Sequence, residues 1–191
     1  LIAYDHFSGF GLLRAKRPLG LKPVKLGASA DLSEGTNVIV VSKGGPMPVM
    51  PARVSSRREF AGYWEYLLDS AIFTVPPLPH YGGAALIDRE GRLVGVGSLM
   101  VNDAAGPDAP VQGNMFVPID PLKPILKDLV EKGRRSTTSH PWLGIYTNET
   151  DGGVIVVRLA TDGPAAEAGI LPGDTIIGVG GRRVSGIADF Y

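Results

Sequence analysis

Glycine and proline set the limits on this chain, which holds 26 of the first and 16 of the second in 191 residues. Such a sequence is rich in turns and short strands, the texture of sandwiches and barrels, so a mostly β fold is expected. The longest uncharged stretch, Ser70 to Ile87, contains Pro76, Pro77 and Pro79 and cannot be a membrane helix. With 44% hydrophobic and 20% charged residues the chain can bury a sizeable core and fits one domain or two small ones. There is no cysteine, which excludes both a disulfide framework and a thiolate site. Formal net charge is zero, and the clusters Arg57-Arg58 and Lys132 to Arg135 read as solvated faces, so no nucleic-acid partner is expected.

Along the chain, Phe10 to Ala15 reads as a short apolar strand and Asn37 to Ser42 as a β-branched one entered from a Ser33-Glu34-Gly35 turn, both in a barrel. Ala85 to Val96 reads as a hairpin turning at Arg89-Glu90-Gly91. Asp120 as N-cap and Pro121 at the first helical position start a helix. Its apolar face is Leu122, Ile125, Leu126, Leu129 and Val130, and Gly133 ends it. Arg134 to Ser139 is a polar linker. Beyond it come Trp142-Leu143-Gly144-Ile145, a strand at Val154 to Leu159 and a helix start at Gly163-Pro164. A strand at Thr175 to Val179, a two-residue Gly180-Gly181 hairpin turn and a helix near Ile187 to Tyr191 complete the pattern.

The loop Pro79-His80-Tyr81-Gly82-Gly83-Ala84, with the hairpin after it, resembles the Gly-Asn-Ser-Gly-Gly-Pro loop and hairpin of the HtrA (or Deg) serine proteases. Leu26 to Gly35 and Ala52 to Ser55 resemble connecting elements of that family's second barrel, and the order of elements after residue 140 looks like a bacterial PDZ domain. The resemblance implies the second barrel of a trypsin-like double β-barrel followed by a PDZ-like α+β domain. The boundaries it suggests are 1–133, a linker at 134–139, and 140–191, the first domain incomplete at its N-terminus and the second at its C-terminus.

It also implies a pseudoprotease. The nucleophile position holds Tyr81, whose phenol has a pKa of about 10 on a rigid ring; as a packing residue it would fill the empty cleft. The position of the orienting acid holds Gly9, which has no side chain, and Asp5 stands about 13 Å away along an extended chain. Pro79 stands where the family uses a backbone N–H as an oxyanion donor, and proline has none. The remaining function would be capture of peptide or protein C-termini. PDZ domains use a loop of this form, so Trp142, Leu143, Gly144, Ile145, Tyr146 and Thr147 would form the site and Phe190 would line its pocket. A periplasmic or cell-envelope location and a homo-oligomer are further implications of the resemblance. One rival reading is an active endopeptidase with its nucleophile at Ser55, Ser70 or Ser98; another is a structural adaptor without a ligand site.

No cofactor or metal is expected. His6, His80 and His140 lack metal-ligand spacing, Gly44-Gly45 and Gly82-Gly83 lack the pattern of nucleotide loops, and Asp69, Asp88 and Glu90 are scattered.

Overall fold

The computed structural model of the chain describes every residue except 6, 44–45, 63–66, 137–140, 152 and 191. His6, His140, Gly44-Gly45, the end of the expected linker and Tyr191 therefore lie outside the described residues. The chain divides into two compact units, Leu1–Phe60 with Leu68–Ser136, and Ala61–Leu67 with Thr137–Tyr191.

In the first unit, β1 (Ala3–Tyr4) and β2 (Gly11–Leu12) pair as a small ribbon. The strands β3 (Asn37–Val41), β4 (Val49–Ala61), β5 (Leu67–Val75), β6 (Ala85–Ile87), β7 (Leu93–Val101) and β8 (Gly113–Pro118) follow. They form a closed barrel in the order β3-β4-β5-β8-β7-β6, sealed where Ile39 of β3 pairs with Ile87 of β6. Alternation drives the closure. Val38 and Val40 point inward, whereas Ile39 and Val41 are exposed. The inward set, Val40, Ile72, Leu86, Val94 and Phe116, is wholly buried, and each such side chain contributes about 1.5–3 kcal/mol of apolar transfer.

The hairpin turn falls as expected, with Gly91 at φ 76°. The buried Asp88 carboxylate is used up by its own turn, accepting from Glu90 N at 3.0 Å, Arg92 N at 2.8 Å and Arg92 Nε at 2.7 Å.

Four expectations need correction. Phe10 to Ala15 is not a barrel strand: only Gly11–Leu12 is extended, in the ribbon, and Leu13 through Lys25 is exposed. That stretch carries Pro18 and Pro23, which have no ladder donor, and five Lys or Arg side chains. The helix expected from Asp120 is split into a 3-10 turn, Asp120–Leu122, and a separate α1 (Leu126–Lys132). Pro124 is the reason, because it cannot donate to the carbonyl of residue 120 and its ring would clash there. Asp120 caps nothing of its own and instead accepts from Ala30 N at 2.8 Å and from the Lys123 ammonium. Its carboxyl is held down to about 2: burial would raise it, and the bonds from Lys123, Ala30 and Ser29 outweigh that. Val130 is exposed, and Leu122, Ile125 and Leu129 carry the buried face.

The basic clusters are not simply solvated either. Arg57 donates to the carbonyls of Leu32 and Ser70, both at 2.9 Å, and to that of Ser29. Arg58 stacks 3.6 Å over Phe73 and pairs with Asp103. Lastly, Thr175 to Val179 is two short strands rather than one, as described next.

The second unit has a three-stranded sheet of β9 (Ile145–Thr150), β10 (Gly153–Leu159) and, after α2 (Pro164–Glu167), β11 (Thr175–Ile176). Its order is β11-β10-β9, so β9 is an edge. β12 (Gly178–Val179) and β13 (Arg182–Arg183) form a separate hairpin through Gly180 and Gly181, at φ 57° and 80°, the pair of positive values such a turn requires. α3 (Ile187–Phe190) ends the described chain.

Candidate functional site

The loop between β5 and β6 is fixed at both ends by backbone geometry. On its approach, Asn114, fully buried in β8, receives Leu78 N on Oδ1 at 2.6 Å and donates Nδ2 to Leu78 O at 3.1 Å. One amide thus clamps the residue before Pro79. On its exit, Gly83 N donates to Gly97 O at 2.9 Å and Gly97 N to Ala84 O at 2.8 Å, while Ala84 N closes a turn on Tyr81 O at 2.9 Å. A Cβ at Gly97 would stand 2.1 Å from Tyr81 O, so only glycine lets the loop lie this close to β7.

The result is an open cleft lined by Ser42, Lys43, Pro79, His80, Tyr81, Gly82 and Gly83. Pro79 and His80 are exposed, and Ser42 Oγ donates to the His80 carbonyl. Tyr81 is half-buried on the wall of the cleft and does not close it as a core residue would. The lining offers a hydroxyl, an ammonium, an imidazole and a phenol, with no carboxylate.

Gly9 is not among the lining residues. It sits in the turn of the β1–β2 ribbon at φ 74°, its N–H donating to Asp5 O at 2.8 Å. Asp5 is 5% exposed and fully engaged. Its carboxylate accepts from Ser8 N at 3.0 Å and Ser8 Oγ at 2.5 Å, and from Arg135 Nε and Nη2 at 2.7 and 2.6 Å. Burial pushes its pKa up, and the Arg135 and Ser8 hydrogen bonds outweigh that, leaving it below the ordinary 3.8. A carboxylate so engaged, with three donors on Oδ2 and one on Oδ1, is committed to its own turn and to Arg135. Of the alternative nucleophiles, Ser55 lies on β4, Ser70 on β5 and Ser98 at the irregular pairing of β7 with β8. None of them lines the cleft.

In the second unit, Trp142 to Thr147 run into the edge strand. Gly144 has φ 72°, and a Cβ there would meet the Trp142 ring and Ala160 at 3.2 Å. The carbonyls of Leu143 and Gly144 both turn inward, accepting from Ala165 N at 3.0 Å and Ala160 N at 2.8 Å. Among the described residues, the N–H groups of Leu143 and Gly144 have no partner. Ile145 and Thr147 are buried and Tyr146 is half-buried, with the Arg158 guanidinium 4.1 Å over its ring. Phe190 of α3 packs against the cluster of Ile145, Val156 and Ala165. α3 is tied to β9 by Ile187 N donating to Glu149 Oε2 at 3.2 Å.

Asn114 and Gly97 carry much of this geometry and were not singled out from the sequence, and Arg135, read there only as part of a solvated cluster, binds Asp5. The signal for Asn114 was a lone amide inside the apolar run Gly113 to Pro118.

Comparison with known proteins fits this architecture. Residues 1–96 match the trypsin-like peptidase domain and residues 141–191 the PDZ domain. The serine protease PepD of Mycobacterium tuberculosis is 28% identical over 200 residues, covering 97% of this chain and 42% of that protein. A probable periplasmic serine endoprotease, DegP-like, of Pseudomonas fluorescens is 28% identical over 205 residues, 99% of this chain and 41% of that one. The chain spans less than half the length of these relatives. Among solved structures, the HtrA-type protease AlgW with a decapeptide superposes at a TM-score of 0.53 and 24% identity, over 87% of this chain and 54% of AlgW. The chain belongs to the trypsin-like peptidase domain family, in the HtrA-type arrangement in which that domain is followed by a PDZ domain.

Proposed function

We propose that this chain is a proteolytically inactive member of its family that works by capturing free peptide or protein C-termini with its PDZ domain. The observation that carries the binding half is the loop before β9. Two adjacent N–H groups, Leu143 and Gly144, lack partners among the described residues while their carbonyls are held inward, and they stand at the start of an open sheet edge. Unpaired donors beside an unpaired strand edge suit a ligand with a terminal carboxylate and an extended backbone. Phe190 and Ile145 supply apolar surface for its last side chain. The structure of the HtrA-type protease AlgW with a decapeptide supports peptide binding as a mode for this architecture.

Inactivity rests on the cleft of the first unit, where Tyr81 and Pro79 replace nucleophile and oxyanion donor and Asp5 cannot stand in at Gly9. Loss of an oxyanion donor costs about 10²–10³ in rate, and loss of triad members about 10⁴–10⁶. No cofactor is required. A periplasmic or envelope location follows by analogy with the Pseudomonas relative's name, and homo-oligomerisation stays part of the proposal.

Calorimetric titration of a hydrophobic C-terminal peptide against the same peptide as its amide tests the binding half. Preference for the free carboxylate is expected, and equal affinity would refute carboxylate capture. Fluorophosphonate labelling tests the other half: a labelled Ser55, Ser70 or Ser98 would establish the active-endopeptidase reading instead.

A further inference from the structure

The captured peptide would present two faces, and the structure bears on the one away from α3. Resting on the C-terminus-capture reading above, we propose that Arg158, held over the Tyr146 ring, selects an acidic side chain at the penultimate residue of the bound peptide.

Alternation along β9 separates its faces. Ile145 and Thr147 are buried, and Glu149 reaches α3 through Ile187 N. Tyr146 and Asn148 therefore face the other way. Tyr146 pairs with Arg158 of β10, and the register shifts between Val156 and Arg158, a bulge of the kind that re-aims a side chain. The guanidinium reaches across to β9, 4.1 Å from the Tyr146 centroid, next to the edge where a peptide strand would add.

A peptide added to that edge alternates in the same way. With its terminal carboxylate on Leu143 and Gly144, an apolar last side chain goes to the α3 side, toward Ile145 and Phe190, and the penultimate one falls beside Tyr146. Arg158 has no carboxylate partner among the described residues, and the acid on β9, Glu149, is on the opposite face. The cation is thus ordered by stacking while its five N–H donors remain available, a geometry suited to a carboxylate fork.

The test is a C-terminal heptapeptide library ending in Val, Leu, Ile or Phe, panned on the wild-type chain. The best binder is then remade with Glu, Gln or Lys at the penultimate position, each as acid and amide, and read by fluorescence anisotropy. The library should enrich Asp and Glu at that position. Glu should bind about two- to fivefold tighter than Gln, the span of an exposed ion pair, and Lys weaker than Gln by a similar factor. Arg158→Gln should level the series and Arg158→Glu should invert it. Equal affinities for Glu, Gln and Lys, with the acid still preferred over the amide, would overturn the role of Arg158 and leave carboxylate capture standing. Loss of the acid-over-amide preference, or a library without a binder, would overturn both.

Discussion

Arg135→Met removes the cation that neutralises Asp5 in the first unit, and the structure sets the size of the effect. Asp5 is 5% exposed and the Arg135 side chain 20%, so the pair is largely out of water. Stripping one partner from a buried ion pair costs about 3–5 kcal/mol. Here the Ser8 N–H and hydroxyl remain on the Asp5 carboxylate, while the stacking of Arg135 on Phe7 at 4.7 Å is lost as well. A net loss of about 2–4 kcal/mol at pH 7 is expected. The sign of its pH dependence follows from the lowered Asp5 pKa. A carboxylate below its ordinary 3.8 in the folded state contributes stability that is present above that value and is lost as pH falls through the folded pKa. In the variant the Asp5 pKa rises, so the gap between the two proteins should be full at pH 7 and narrow below about pH 4. Urea unfolding of both proteins across pH 3 to 7, followed by far-UV circular dichroism, measures it. Pairing Arg135→Met with Asp5→Asn should recover part of the loss, because the buried charge then disappears with its partner. A gap under about 0.5 kcal/mol at pH 7, or one of constant size across the range, would refute the reasoning.

Gly97→Ala should destabilise the first unit by about 3 kcal/mol in urea, because the new Cβ would lie 2.1 Å from Tyr81 O, whereas Gly82→Ala, with nothing within 4 Å of its Cβ, should stay within about 0.5 kcal/mol; equal midpoints for the two would mean that the loop does not rest on β7. Asn114→Ala orphans both Leu78 N and Leu78 O, at about 1–3 kcal/mol for each buried unsatisfied group, so a loss of about 2–6 kcal/mol is expected, and an unchanged midpoint would show that the amide clamp contributes nothing. Tyr81→Ser alone should hydrolyse casein no faster than buffer, since the new hydroxyl would still lack an oriented base, and turnover above background would show that the roles of Gly9 and Pro79 are misassigned.

What was legible in the sequence was local. The Gly91 turn, the Gly180-Gly181 hairpin and the Gly133 helix stop are each written in one or two residues whose positive φ only glycine adopts cheaply. Strand β3 is written in alternation, whereas Ala52 to Ser55, read as a connecting element, lies within β4, and the wholly buried β8 carries no alternation to read. What failed was longer in range or a competition between signals. Pro121 reads as a helix start, but Pro124 three residues later interrupts it, and the Asp120 carboxylate goes to Ala30, 90 positions away. Arg135 reads as a solvated charge until the fold brings Asp5, 130 positions earlier, against it. At the candidate sites the identities of Tyr81, Pro79 and Gly9 could be read directly, but the open cleft around Tyr81 and the inward carbonyls of Leu143 and Gly144 could not, since both depend on partners remote in the chain.

If the chain is the inactive member proposed above, the turn at Gly9 resists regaining an acid there. A backbone at φ 74° disfavours most residues with a Cβ by about 1 kcal/mol, aspartate less than most. That turn also presents the Ser8 N–H and hydroxyl to Asp5, so a second carboxylate at position 9 would arrive one residue from a site already holding a buried negative charge matched to Arg135. Regaining the acid would mean refolding the ribbon turn and unsettling the Asp5–Arg135 pair, all before a nucleophile existed to benefit. In the proposed inactive state, the step back at position 9 is thus opposed by the charge already held beside it, and the surface left open to gradual change is the peptide edge of the second unit.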